Sequence, residues 1–73
     1  MQYDKLVSKA IVSGVTYTYV GEAAPGSSVS LPLWRIKRIA EYSSGLTEII
    51  WADDTDDFDK VWNDRETYSY TVA

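Results

Sequence analysis

Val15-Thr16-Tyr17-Thr18-Tyr19-Val20 decides the fold class. Every residue in this stretch is β-branched or aromatic, the types that fit a pleated, half-buried surface. Val15, Tyr17 and Tyr19 share one face, and Thr16, Thr18 and Val20 share the other. Upstream, residues 3–12 place Leu6, Ser8, Ala10 and Val12 on one face, with Val7, Lys9 and Ile11 opposite. That alternation is imperfect, yet it suits a strand better than a helix. Ser13-Gly14 between the two segments predicts a hairpin, or a bulge in one long bent strand.

Downstream, residues 21–32 form the main loop, crowded with Gly21, Pro25, Gly26, Ser27, Ser28, Ser30 and Pro32. Pro25-Gly26 fits the centre of a type II turn. Residues 33–42 read as a strand with Trp34 and Ile36 inward and Arg35 and Lys37 outward. The pattern slips at Arg38-Ile39, which a bulge would absorb. A helix with Leu33, Ile36 and Ala40 on one stripe is the alternative. Ser43-Ser44-Gly45 and the alternating Thr47, Ile49 and Trp51 complete a second hairpin. Residues 52–65 turn acidic: Asp53, Asp54, Asp56, Asp57, Asp59 and Asp64 oppose Lys60 and Arg65. Thr55 is placed to cap a short helical turn near residues 56–63, whose positive end Asp56 and Asp57 would complement. Residues 67–72 alternate again, Tyr68, Tyr70 and Val72 against Thr67, Ser69 and Thr71, and predict a closing strand. The whole predicts a single all-β domain over 1–73. Its form is a small antiparallel sandwich or partly open barrel of about five strands.

Composition narrows the chemistry. The chain has 73 residues, three Trp, six Tyr and one Phe, and neither Cys nor His. Disulfides, thiolate nucleophiles, Cys- or His-ligated zinc and an imidazole base are excluded. A chain this short buries only about 60% of the surface its unfolded form exposes. Its core supplies about 3–5 kcal/mol. Contact with its own copies or another protein is the expected supplement, and Trp and Tyr suit such interfaces. A net charge of -4 and a pI near 4.5 argue against a DNA-holding protein. No apolar run is long enough to span a membrane, and Met1-Gln2-Tyr3-Asp4-Lys5 lacks the features of a signal peptide.

Candidate sites are few. Asp53, Thr55, Asp57, Asp59 and Asp64 imitate a calcium loop, but Phe58 stands where the sharp turn wants Gly and the last ligand is not Glu. A solvated acidic loop accounts for them better. Paired carboxylates for glycosidase chemistry would need a cleft that a chain of this size hardly encloses. Arg35, Lys37 and Arg38 beside Trp34 suggest a single-stranded nucleic-acid surface, which the net charge disfavours. Trp34, Trp51 and Trp62 could line a sugar platform; core or subunit interface is the stronger reading. Arg65 is expected in a structural ion pair with Asp64, Glu66 or the acidic loop. Ser27-Ser28 has no His partner to make a nucleophile.

One resemblance adds a setting. Tyr19-Val20-Gly21-Glu22-Ala23-Ala24-Pro25-Gly26, Trp34-Arg35-Ile36-Lys37-Arg38-Ile39, Ile50-Trp51-Ala52-Asp53 and Phe58-Asp59-Lys60-Val61-Trp62-Asn63-Asp64-Arg65 resemble, in this order, small proteins encoded among the virion structural genes of tailed bacteriophages. The resemblance runs from Tyr19 to Tyr70. It implies a virion component: capsid decoration, neck or connector, or tail or fibre. It carries over no functional residue. Such proteins often have Gly where this chain has Asp54, which favours a longer acidic loop here.

The expectation is thus a non-enzymatic structural protein of a tailed-phage virion, assembled in the host cytoplasm. It would work through contacts with copies of itself and other virion proteins, without metal or cofactor. Tyr17, Tyr19, Trp34, Trp51, Trp62, Tyr68 and Tyr70 are its expected core and interface. A small binding module for glycans or single-stranded nucleic acid is the alternative.

Overall fold

A computed structural model of the protein describes residues 2–71. β1 (Asp4–Val12), β2 (Val15–Ala23), β3 (Pro32–Glu41) and β4 (Thr47–Trp51) form an antiparallel meander, and β5 (Lys60–Val61) joins it by pairing with β3. The fold is all-β, with five antiparallel strands; the first four are those the alternation predicts, and the fifth is Lys60–Val61 rather than 67–72. Its second layer is made of 3₁₀ turns and extended chain rather than a second sheet.

β1 and β2 are joined by a two-residue turn closed by Val12 opposite Val15. Ser13 and Gly14 take φ of 51° and 79°, the type I′ geometry whose twist matches the strands it joins. The hairpin reading therefore holds, and not the bent strand. Ser27 donates its N–H to Ala24 O at 3.2 Å, closing the turn around Pro25-Gly26. Gly45 donates to Tyr42 O at 3.0 Å in the turn between β3 and β4.

β3 is a strand, not a helix, and its alternation does not slip. Trp34, Ile36, Arg38 and Ala40 face the core side, and Arg35, Lys37, Ile39 and Glu41 face away, in continuous register with β2 and β4 over residues 37–41. No bulge intervenes at Arg38-Ile39. Arg38 tolerates the inward position because its guanidinium lies 4.5 Å from the Tyr17 ring centroid and 4.7 Å from that of Tyr70. It also donates to Tyr70 O at 3.1 Å. The irregularity lies instead between Pro32 and Trp34, where β3 meets β5. A proline without an N–H belongs at such a strand start.

After β4 the chain folds back over the core face. It makes a 3₁₀ turn at Ala52–Asp54, the acidic loop, β5, a second 3₁₀ turn at Trp62–Thr67 and an extended tail. The helical turn expected near 56–63 is thus displaced to either side. Thr55 Oγ1 accepts the Asp57 N–H at 3.1 Å, but no helix follows it. The strand expected over 67–72 is also absent within Tyr68–Thr71, and Val72 lies outside the described residues. The tail is held otherwise. Asp53 donates its N–H to Ser69 O at 2.8 Å, and Ser69 returns its N–H to Asp53 Oδ1 at 3.0 Å. Tyr68 Oη accepts from Val61 N at 2.7 Å, and Tyr70 Oη donates to Arg65 O at 2.6 Å. The acidic loop is not lengthened at Asp54. Asp53 and Asp54 take φ of 53° and 61°, so the turn stays tight with aspartate in the left-handed region.

The core is Tyr19, Ala23, Trp34, Ile36, Ala52, Trp62 and Tyr70, with Leu6, Tyr17, Ile50 and Tyr68 packed at its margin. Burying a large apolar side chain there is worth roughly 1.5–3 kcal/mol. Trp34 and Trp62 meet at 6.1 Å, and Tyr19 and Tyr70 meet edge-on at 5.7 Å. Trp34 Nε1 donates to Ser28 O at 2.9 Å, tying the main loop to the core.

Candidate functional site

The described covering chain packs mainly on one face of the sheet, with Phe58 and Tyr3 reaching Arg35 at one corner of the other, which leaves most of that other face without a cover. The register sets it out in rows across the strands. Lys5 aligns with Glu22 and Arg35; Val7 with Val20, Lys37 and Trp51; Lys9 with Thr18, Ile39 and Ile49; and Ile11 with Thr16, Glu41 and Thr47. Val7, Ile11 and Ile49 are 61%, 75% and 64% exposed. Val7 and Ile11 flank Lys9 on β1 and Ile49 lies across on β4, with Val20 and Ile39 between the two strands; an apolar patch open to water on a sheet is a mark of a protein-contact surface.

Charge is divided between the two sides. Lys5, Lys9, Arg35 and Lys37 stand on the open face against Glu22 and Glu41, whereas the acidic loop reaches that face at its Arg35 corner through Phe58. An acidic protein thus presents one basic, apolar face. Glu22 is at its centre of charge, 2.9 Å from Arg35 Nε and 3.4 Å from Lys5 Nζ. Burial pushes the Glu22 carboxyl up, but the hydrogen bonds and charges of Arg35 and Lys5 outweigh it and hold it below the usual carboxylate range.

Arg35 also organises one corner. Its guanidinium carbon lies 4.8 Å from the Phe58 ring centroid, 5.4 Å from that of Tyr3 and 5.7 Å from that of Trp51. Phe58 and Tyr3 stack at 5.4 Å. One cation therefore fastens the acidic loop and the residue before β1 to the end of the sheet. Tyr3 and Phe58, with Ala24, Ser27 and Leu33, border a shallow apolar hollow of about 330 Å³.

The predicted core and interface residues divide by face. Tyr19, Trp34, Trp62 and Tyr70 are buried, and Tyr17 and Tyr68 flank them. Trp51 is apart from these, half-buried on the open face with Lys37 Nζ 5.4 Å from its ring. The Arg35–Arg38 patch is split, since Arg38 and Trp34 lie on the core side. Arg65 makes no ion pair among the described residues. It lies 4.7 Å over the Trp62 ring and donates to Trp62 O and Ser8 Oγ, each at 3.3 Å. The indole and the two acceptors hold it where a carboxylate was expected. Among the described residues, no cluster of three or more carboxylates is placed to hold a metal ion.

Sequence reasoning passed over Lys60, which is only 5% exposed, pairs with Asp59 and lies 5.8 Å from the Tyr68 ring. The available signal was its place as a lone lysine in the acidic stretch. It also missed the inward turn of Arg38, which reads as solvent-facing wherever charge alone is scored.

No protein-family model, curated protein or solved structure matches the chain. Its own surfaces therefore carry the functional argument.

Proposed function

We propose that this chain is a non-enzymatic structural component of a tailed-phage virion, held to neighbouring proteins through the open face of its sheet. The observation that supports this most is the exposure of Val7, Ile11 and Ile49 beside Val20, Ile39 and Trp51 on one uncovered face. A chain with a one-sided core gains stability when a partner covers the other side, because a partner that binds only the folded form shifts the equilibrium toward it. The virion setting comes from the sequence resemblance. Two experiments test the proposal. Protein mass spectrometry of purified particles is expected to find the chain, and its absence overturns the virion placement. Ile49→Lys is expected to keep the fold yet weaken incorporation at least tenfold; unchanged incorporation overturns the role of the open face.

A second reading draws on Trp51. It stands partly exposed between Arg35 and Lys37, the pairing of indole and cations used by single-stranded nucleic-acid and glycan surfaces. Titration of the intrinsic fluorescence with a short single-stranded oligonucleotide or an oligosaccharide decides it. Saturable quenching supports this reading, and a flat titration removes it.

A further inference from the structure

We infer that β1 is a self-pairing edge, through which two copies join antiparallel about a two-fold axis at Ser8. This deepens the proposed function and rests on the reading of the chain as a protein that works by contact with other protein surfaces.

β1 is nine residues long and pairs with β2 alone. The two-residue hairpin makes Val12 and Val15 a hydrogen-bonded pair, and the pairs alternate from there. Ala10, Ser8, Leu6 and Asp4 therefore bond to β2, while the N–H and C=O groups of Lys5, Val7, Lys9 and Ile11 point away from the sheet. A strand of this length with unpaired backbone on one side is a template for another strand.

The side chains choose among the registers. Antiparallel pairing of two identical strands must match outward-pointing residues with each other, which allows axes at successive residues. An axis at Val7 sets Lys5 against Lys9 of the second copy, and an axis at Lys9 sets Lys9 against itself. Like charges directly opposite are destabilising. An axis at Ser8 sets Lys5 opposite Ile11, Val7 opposite Lys9, Leu6 opposite Ala10 and Ser8 opposite itself. No lysine then faces a lysine. This same register overlaps the whole of Asp4–Val12 with its counterpart. The two lysines thus act as gatekeepers that bar the neighbouring registers and leave the longest one open. The strand is self-complementary about one point, as an isologous two-fold contact requires. Pairing would double the meander into one sheet and continue the open face across the axis, with Val7 and Ile11 of both copies at its middle.

The absence of cysteine from the chain makes the register directly readable. Three single-cysteine variants, Val7→Cys, Ser8→Cys and Lys9→Cys, are oxidised gently and run on a non-reducing gel. Ser8→Cys is expected to cross-link to itself most strongly, since a non-hydrogen-bonded antiparallel pair brings the Cα atoms within disulfide range. Stronger cross-linking at Val7 or Lys9 overturns the register. The unaltered chain supplies a check that needs no substitution. Light scattering is expected to show a dimer that dissociates on dilution, with the Lys5, Val7, Lys9 and Ile11 amides gaining protection from hydrogen exchange as concentration rises. A monomer throughout, with those amides exchanging fast, overturns the pairing. Val7→Pro removes an outward N–H without breaking the β1–β2 ladder, so it should weaken the dimer at least tenfold in a chain that keeps its near-ultraviolet circular dichroism. An unweakened dimer in that variant also overturns the pairing. A chain found in particles but monomeric in solution sinks the edge pairing alone; a dimer from a chain absent from particles sinks the virion reading alone.

Discussion

The indole of Trp62 packs against Gly21, so close that a Cβ at Gly21 would fall 2.5 Å from Trp62 Cε3 and 2.7 Å from Cζ3. Trp34 Cε3 would stand 3.2 Å from the same Cβ. The covering layer therefore docks onto β2 through a position that must have no side chain. Both indoles are core members, so neither can withdraw without opening a void.

Gly21→Ala is accordingly expected to destabilise the protein. In an ordinary strand the change would help by about 0.5–1 kcal/mol. Here the added methyl overpacks the core, at a cost of typically about 1–3 kcal/mol. Urea unfolding followed by tryptophan fluorescence measures the difference. A midpoint equal to or above that of the parent chain contradicts the packing described.

The three indoles should separate by face. Trp62→Ala is expected to cost about 3–5 kcal/mol, because it empties the centre of the covering layer. Trp51→Ala should cost roughly 1–2 kcal/mol, since only part of its surface is buried. Equal losses in urea unfolding would mean that Trp51 belongs to the core. Acrylamide should quench Trp51 more readily than Trp34 or Trp62, which single-tryptophan variants would reveal.

Asp54→Gly should leave the protein equally stable or raise its stability by up to about 1 kcal/mol. Asp54 sits at φ 61°, where a side chain is disfavoured by roughly 1–2 kcal/mol and Gly is not, against the entropy Gly loses on folding. Thermal unfolding reads the sign. A clear loss would show that the Asp54 carboxylate makes a contact stronger than the backbone strain.

Stability should fall at both ends of the pH scale, for different residues. The Glu22 carboxyl is held below its ordinary 4.5 in the folded chain. Its contribution is present above about pH 4.5 and is lost as pH falls through the lower folded value. Tyr70 moves the other way. Burial, then the neighbouring Tyr19, raise its phenol well above its ordinary 10.0. That contribution is complete below pH 10 and is lost as pH rises beyond it. Melting temperatures across pH should show both limbs. Glu22→Gln should flatten the acid limb and Tyr70→Phe the alkaline one; a limb unchanged by its substitution would assign it elsewhere.

Much of this molecule was legible in the chain because local rules govern it. Val15–Val20 declared a strand by residue type, Ser13-Gly14 and Ser43-Ser44-Gly45 declared hairpins by turn chemistry, and the alternation around Tyr17 and Tyr19 placed those rings on the core side. The candidate surface was less legible. Val7, Ile39 and Ile49 read as ordinary strand aliphatics, and nothing in their spacing says that one sheet face stays uncovered.

What the sequence determined by itself was the all-β class, the two hairpins, the lack of thiol and imidazole chemistry, and the aromatic supply of the core. Tertiary structure alone decided the rest. It turned Arg38 inward, because Tyr17 and Tyr70 converge there from distant parts of the chain. It took the tail out of the sheet, because Asp53 and Ser69 satisfy each other's backbone. It put Trp51 on the opposite face from Trp34 and Trp62, because register and not composition assigns a side chain to a face. Local preference is written in neighbouring residues; burial depends on which segments meet, and the chain folding back mainly over one side of the sheet left most of the other side open to water.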